Sequence, residues 1–214
     1  MEKNNQNLFT MREQEIFLTL KALSNCDFVV IGGYAVNAYT LPRFSVDCDI
    51  VVISKEQLQN IEEILMEFGY HHVKKSLDFY SGKFKRYEKN LEQGFTVSMD
   101  ILIDEVTDRS TGVVFDGRWI FEHSTIKNLR GKTIIEKLEI RIVNIDALLV
   151  MKIISCRSTD IRDVFMMLPN AENKEWIKQE IALRYDLKDR IAKIREKITS
   201  SQFKDGLAGV YGQI

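Results

Sequence analysis

Apolar positions along the chain change period several times, and each change predicts an element. Over residues 10–24 they recur at helical spacing through Ile16, Leu20 and Leu23, as in an amphipathic helix. Residues 28–31 are a short β-branched run that reads as a buried strand. Gly32 and Gly33 interrupt it, and residues 34–39 can then form a short helix stopped by Pro42. Residues 46–53 form the next strand. Helical spacing returns over residues 55–68 (Leu58, Ile61, Leu65, Phe68), with Gly69 in the C-terminal stop position. One or two strands are expected in residues 70–89, one of them carrying Phe79, Phe84 and Tyr87. Residues 95–103 are a strong strand. Residues 107–132 are rich in turn formers and resist assignment, whereas 134–143 predict a hairpin or a pair of short strands.

From residue 145 the pattern becomes helical throughout, with helices expected over 146–156, 160–168, 174–184 and 187–198. The fold class is therefore α/β (α+β): a sheet unit with flanking helices over residues 1–144, then a C-terminal helical region over 145–214. The last ten residues, DGLAGVYGQI, show no periodic pattern and are expected to be flexible.

Composition narrows the class. Of 214 residues, 45% are hydrophobic and 29% charged, enough apolar material for a packed core. Thirty basic and 31 acidic residues leave a net charge of −1, so a polyanion would have to be held by a local basic patch. The helix predicted over 187–198 carries five basic residues between Lys188 and Lys197; such a face is ordinarily solvated, and steering of an RNA backbone is the alternative reading. Cys26, Cys48 and Cys156 are widely spaced and form no CxxC pair, which suits a reducing compartment. With no signal-like apolar stretch and no run near the roughly 20 residues of a membrane span, a soluble cytoplasmic protein is expected. His71, His72 and His123 are too scattered to suggest zinc.

The stretch FVVIGGYAVNAYTLPRFSVDCDIVV concentrates the candidate chemistry. Two glycines let backbone approach a phosphate closely, and a helix starting near Tyr34 would offer unpaired N–H groups to it. Asp47 and Asp49 lie two apart in a strand, so both carboxylates leave the same face about 7 Å apart at Cα, while Cys48 and Ile50 turn the other way. Magnesium takes one or two such carboxylates plus phosphate oxygens. A pair of ions about 3.5–4 Å apart would hold both the attacking and the leaving oxygen of a phosphoryl displacement. Asp100, within TVSMDILID, shares a face with Thr96 and Ser98; an ionised group in an apolar strand calls for a partner or a metal. Asp104 is the fallback for this third carboxylate. Arg43 would contact a phosphate or orient the aspartate pair, since guanidinium matches either bidentately.

In order, the Gly-Gly turn, short helix, Asp-x-Asp and later carboxylate resemble the nucleotidyltransferase superfamily with the DNA polymerase β-like fold, here at Gly32, Gly33, Asp47, Asp49 and Asp100. A second stretch, VNIDALLVMKIISCRSTDIRDVFMML, resembles the AbiEii-type, toxin-like nucleotidyltransferases. Its matching positions are Lys152, Arg157, Asp160 and Asp163, with Thr159 where that family commonly has Lys. The resemblance implies a mixed-sheet nucleotidyltransferase core and a helical region that completes the cleft. It assigns Lys152 to triphosphate binding and Asp160 to a supporting polar role. It further implies a nucleoside triphosphate as substrate, magnesium (one or two ions), an RNA or tRNA end as acceptor, and an antitoxin protein as partner. Small-molecule nucleotidyltransferases that act on antibiotics resemble the same Gly-Gly, Arg and Asp-x-Asp series, so a small acceptor stands beside the RNA end. A non-catalytic nucleotide-binding module is the reading from another class; it requires that Asp47, Asp49 and Asp100 do not converge, or that triphosphate binds without turnover.

Overall fold

A computed structural model describes residues 2–74 and 82–211. The chain opens with α1 (Glu2–Ala22), which starts earlier than its apolar spacing indicates. Strand β1 (Val29–Ile31) runs straight into α2 (Gly32–Asn37), whose first residue is Gly32 rather than Tyr34. Strand β2 (Asp47–Val52) leads to α3 (Lys55–Glu67). The Ser54 side chain caps the start of α3 by accepting from the Gln57 N–H, and Gly69 takes the left-handed conformation beyond its end.

Strands β3 (His71–Val73) and β4 (Phe84–Asn90) occupy the two ends of the region expected to hold one or two strands; Phe79 lies outside the described residues. Strand β5 (Thr96–Ile103) follows. The turn-rich stretch then resolves into β6 (Glu105–Thr107), β7 (Val114–Asp116), α4 (Gly117–Glu122) and β8 (Ser124–Leu129). These elements are short enough that no apolar period can establish itself. Strand β9 (Leu138–Val143) pairs back onto β8, so the hairpin of this region is β8–β9 rather than one within residues 134–143. Five helices complete the described chain: α5 (Ile145–Ser155), α6 (Ser158–Met167), α7 (Lys174–Ala182), α8 (Leu187–Thr199) and α9 (Ser201–Tyr211). The last corrects the expectation of a flexible tail as far as residue 211; residues 212–214 lie outside the described residues. Phe203 and Leu207, four residues apart, are buried with Ile161 of α6.

Seven strands form one mixed sheet in the order β3-β4-β5-β2-β1-β9-β8, and β6 and β7 form a separate ribbon. The pairs β2–β5 and β1–β9 are parallel; the other pairs of the large sheet are antiparallel. Alternation then sorts the residues. Cys48 and Ile50 of β2, with Val97, Met99 and Ile101 of β5, are fully buried, each large side chain contributing about 1.5–3 kcal/mol. Lys85, Tyr87 and Lys89 of β4 project toward the helices that cover this side. Glu62 of α3 accepts from Lys85 and Tyr87, and Glu15 of α1 accepts from Lys89. Residues of opposite parity, Asp47, Asp49, Asp100 and Arg86, face away from those helices. None of the described helices is long and apolar enough to cross a membrane.

Candidate active site

The centre of the sheet carries a single cross-strand rung. In register, Arg86 of β4 lies opposite Asp100 of β5, Asp100 lies beside Asp49 of β2, and Asp49 lies opposite Ile31 of β1. Asp47 sits one step along, beside Ser98. Parallel pairing of β2 with β5 thus gathers three carboxylates that are distant in sequence. One oxygen from each of Asp47, Asp49 and Asp100 lies within 4.8 Å of the others, and this is the one cluster able to hold a metal among the described residues.

Gly32 supplies the close approach this geometry needs. Its φ of +67° is left-handed, and a Cβ there would stand 2.0 Å from Oδ2 of Asp49. Gly33 is required for a different contact: a Cβ would stand 2.2 Å from the Ser45 hydroxyl. Packed against Gly32, the Asp49 carboxyl is pushed up to about 8, by burial first and then by the charges of Asp47 and Asp100, although the residue keeps an opening to the cleft. Burial also raises Asp100, against the pull of Arg86. Three hard oxygen donors that repel one another when ionised fit a magnesium ion, which prefers such ligands and would relieve that repulsion.

Arg86 is the principal residue that sequence reasoning missed. Its Nε donates to Oδ1 of Asp100 at 2.7 Å and its Nη2 to Oδ2 at 2.6 Å, while Nη2 also stands 3.5 Å from Asp47. The one available signal is alternation in β4, where Phe84, Arg86 and Glu88 share one face and Lys85, Tyr87 and Lys89 the other.

Across from the sheet, α5 and the start of α6 form the second wall of a cleft of about 440 Å³. This size lies within the range of small-ligand sites. Gly32, Asp47, Asp49, Asp100, Lys152, Arg157 and Asp160 all line it, so seven of the residues singled out from sequence meet in one cavity. Leu102, Val106, Phe115, Leu148 and Met151 supply an apolar lining, and Arg109 a further cation near Asp100. Both residues flanking the Arg109–Ser110 pair belong to a tight turn, in which Asp108 accepts from the N–H and hydroxyl groups of Ser110 and Thr111.

The helical wall is an ion network. Lys152, buried, lies 2.8 Å from Asp160 and 2.9 Å from Asp163. Asp160 also accepts from the Arg157 backbone N–H and from Nε of Arg157. Burial alone would raise Asp160, but Lys152 and Arg157 more than offset it and hold the carboxyl below its ordinary value. Arg43 donates Nε and Nη2 to the two oxygens of Asp163 at 2.9 and 2.7 Å.

Five expected residues lie elsewhere than the cleft lining. Arg43 and Asp163 are buried partners that tie the loop before β2 to α6, because a desolvated guanidinium requires a carboxylate. Gly33 packs on Ser45. Tyr34 is 1% exposed and belongs to the core, its phenol pushed well above the usual range by burial. The fallback Asp104 leaves the strand at a left-handed residue (φ +63°), is exposed, and stands outside the carboxylate cluster.

No family model matches the sequence, and no curated protein matches it. Among solved structures, a protein of Helicobacter pylori assigned to the nucleotidyltransferases aligns at 15% identity and TM-score 0.51, covering 92% of this chain and 85% of that one. ANT(2″)-Ia, in complex with adenylyl-2″-tobramycin, aligns at 13% identity and TM-score 0.51, covering 81% of this chain and 96% of that one. The fold is that of the nucleotidyltransferases. Within that fold, Gly32 and the carboxylates of β2 and β5 sit on one wall of the cleft, and the α5–α6 network faces them.

Proposed function

We propose that the chain is a magnesium-dependent nucleotidyltransferase that moves a nucleoside monophosphate from a nucleoside triphosphate to a hydroxyl acceptor. The convergence of Asp47, Asp49 and Asp100 within 4.8 Å carries the reading, since a binding module has no need to gather three repelling carboxylates on one wall. In the reaction, the acceptor oxygen bonds to the α-phosphorus, the bond from that phosphorus to the bridging oxygen breaks, and pyrophosphate leaves. Magnesium, held by Asp47, Asp49 and Asp100, would neutralise phosphate charge and orient the two oxygens in line. Asp100 takes the acceptor proton, using lone pairs beyond those that accept from Arg86. Arg157 and Arg109 line the cleft as cations for the triphosphate, while Lys152 contributes through the Asp160 pair it already holds.

The acceptor is read in two ways. Resemblance of α5–α6 to the AbiEii-type proteins supports an RNA or tRNA end, in a toxin–antitoxin setting with a partner protein. A compact or cationic acceptor is supported by the cleft itself: five carboxylates (Asp47, Asp49, Asp100, Asp108, Asp160) line it against four basic groups (Arg86, Arg109, Lys152, Arg157). It is supported too by the bound adenylyl-2″-tobramycin of ANT(2″)-Ia. Pyrophosphate release from each nucleoside triphosphate, with magnesium and either total RNA or an aminoglycoside panel, separates them. Turnover confined to one acceptor class assigns it. Metal-dependent triphosphate binding without turnover on any acceptor would return the chain to the binding-module reading.

A further inference from the structure

Arg86 stands directly opposite Asp100, one of the three converging carboxylates. Both Asp100 oxygens accept from it, at 2.7 and 2.6 Å, and its Nη2 is 3.5 Å from Asp47. The pairing is built into the sheet, because Arg86 and Asp100 are direct cross-strand partners. Its hydrogen bonds to Asp100 also orient that carboxylate within the cluster. Glu88, one step along the same face of β4, helps hold the guanidinium charge. Other cleft cations are placed differently: Lys152 and Arg157 pair with Asp160 on the opposite wall, and Arg109 adds charge near Asp100 from the turn after β6.

We propose that Arg86 is a positioning residue that sets the metal affinity of the triad, holding Asp100 and supplying a permanent positive charge there. The inference rests on the nucleotidyltransferase reading above. Three ionised carboxylates alone would attract a divalent cation strongly; the Arg86 guanidinium offsets one of those charges and occupies acceptor positions on Asp100. The triad then retains a cation well only when triphosphate oxygens complete the ligand set. The metal is thereby coupled to its substrate, and free divalent ions bind in the cleft only weakly.

The test is binding of Mn²⁺ alone to the full chain, read by the paramagnetic resonance signal of the free ion, with and without a non-hydrolysable triphosphate. Wild type should bind Mn²⁺ weakly alone and tightly with nucleotide. Arg86→Gln should tighten nucleotide-free binding by about tenfold or more, since a nearby unit charge is worth at least this factor in a half-buried site. Arg86→Lys, which keeps the charge and gives up the bidentate geometry, should stay near wild type; a merely structural role would make both variants alike. Unchanged or weaker nucleotide-free binding in Arg86→Gln, in a protein whose melting profile is retained, overturns the inference while leaving the activity reading in place. If wild type fails to hold Mn²⁺ even with nucleotide, the metal-dependent reading falls, and this inference falls with it.

Discussion

The two walls of the cleft are made from the same kinds of side chain and differ in how their charge is balanced. On and behind the helical wall, Lys152, Arg157 and the buried Arg43 surround Asp160 and Asp163, three cations at 2.7–2.9 Å on two carboxylates with no exposed surface. On the sheet wall, three carboxylates cluster together, Asp100 and Asp47 reach the Arg86 guanidinium, Arg109 adds charge near Asp100, and acid outnumbers base. A network in which every buried carboxylate has its cations resists change and holds elements in place; one with acid in excess beside a cavity waits for a cation. Titratable groups on the two walls respond accordingly, with Asp160 held low by its partners and Asp49 pushed up to about 8.

Substitution should break this contrast in opposite ways. Asp47→Asn combined with Asp49→Asn should abolish pyrophosphate release, by roughly 10⁴-fold or more, while leaving the melting temperature level or raised, because repelling charges are removed. A marked melting loss in this variant would show that the sheet wall is structural too. Asp163→Ala should do the reverse. It leaves Arg43 and Lys152 buried without their shared partner, at a cost of about 3–5 kcal/mol, or on the order of 10 °C in a chain of this size. Thermal denaturation measures it directly, and a shift below about 2 °C would mean that the network does not hold α6 in place.

Proton linkage separates the two walls by a smaller effect. Asp49 has a native pKa of about 8 against an ordinary 3.8, so the native chain keeps a proton that the unfolded chain has released between these values. Its contribution is present below about pH 4 and is lost as pH rises toward 8. Asp160 has the opposite sign: its contribution is present above the ordinary carboxylate value and is lost as pH falls through its depressed native value. Without divalent ions, the melting advantage of Asp49→Asn over wild type should therefore grow from about pH 5 to about pH 8. A flat difference would mean that Asp49 is not held protonated by burial and its acidic neighbours. The smallest effect belongs to neither wall: Lys21 and Glu136 pair at 2.7 Å but are both largely exposed, so Lys21→Ala should change stability by less than about 0.5 kcal/mol in a denaturant titration.

What can be read from sequence follows the strength of local pattern. Strands β2 and β5 alternate cleanly, so the shared face of Asp47 and Asp49 and the inward placement of Asp100 are legible in the sequence alone. Arg86 is not, since β4 reads FKRYEKN, polar on both faces, and its partner lies across a strand pairing that periodicity does not reveal. Tyr34 is hard to place because a residue just after a Gly-Gly turn gives no sign of which side of a six-residue helix will be buried. Arg43 and Asp163 are 120 residues apart, and nothing local links them. The tail helix α9 escapes its own pattern because, among its described side chains, Phe203 and Leu207 are the buried anchor, docked on a helix much earlier in the chain.

The rung Arg86–Asp100–Asp49 has one more consequence, for how the chain is checked as it folds. Side chains alternate along β5, so a slip of one residue in its pairing would turn Asp100 toward the layer that holds Met99 and Ile101 and set an aliphatic group in the cleft. Such a mispaired chain would strand Arg86, inter a carboxylate and break up the cluster of Asp47, Asp49 and Asp100 in one stroke. Assembly of the carboxylate cluster and correct strand alignment are therefore the same event, and a misaligned sheet yields no half-built site.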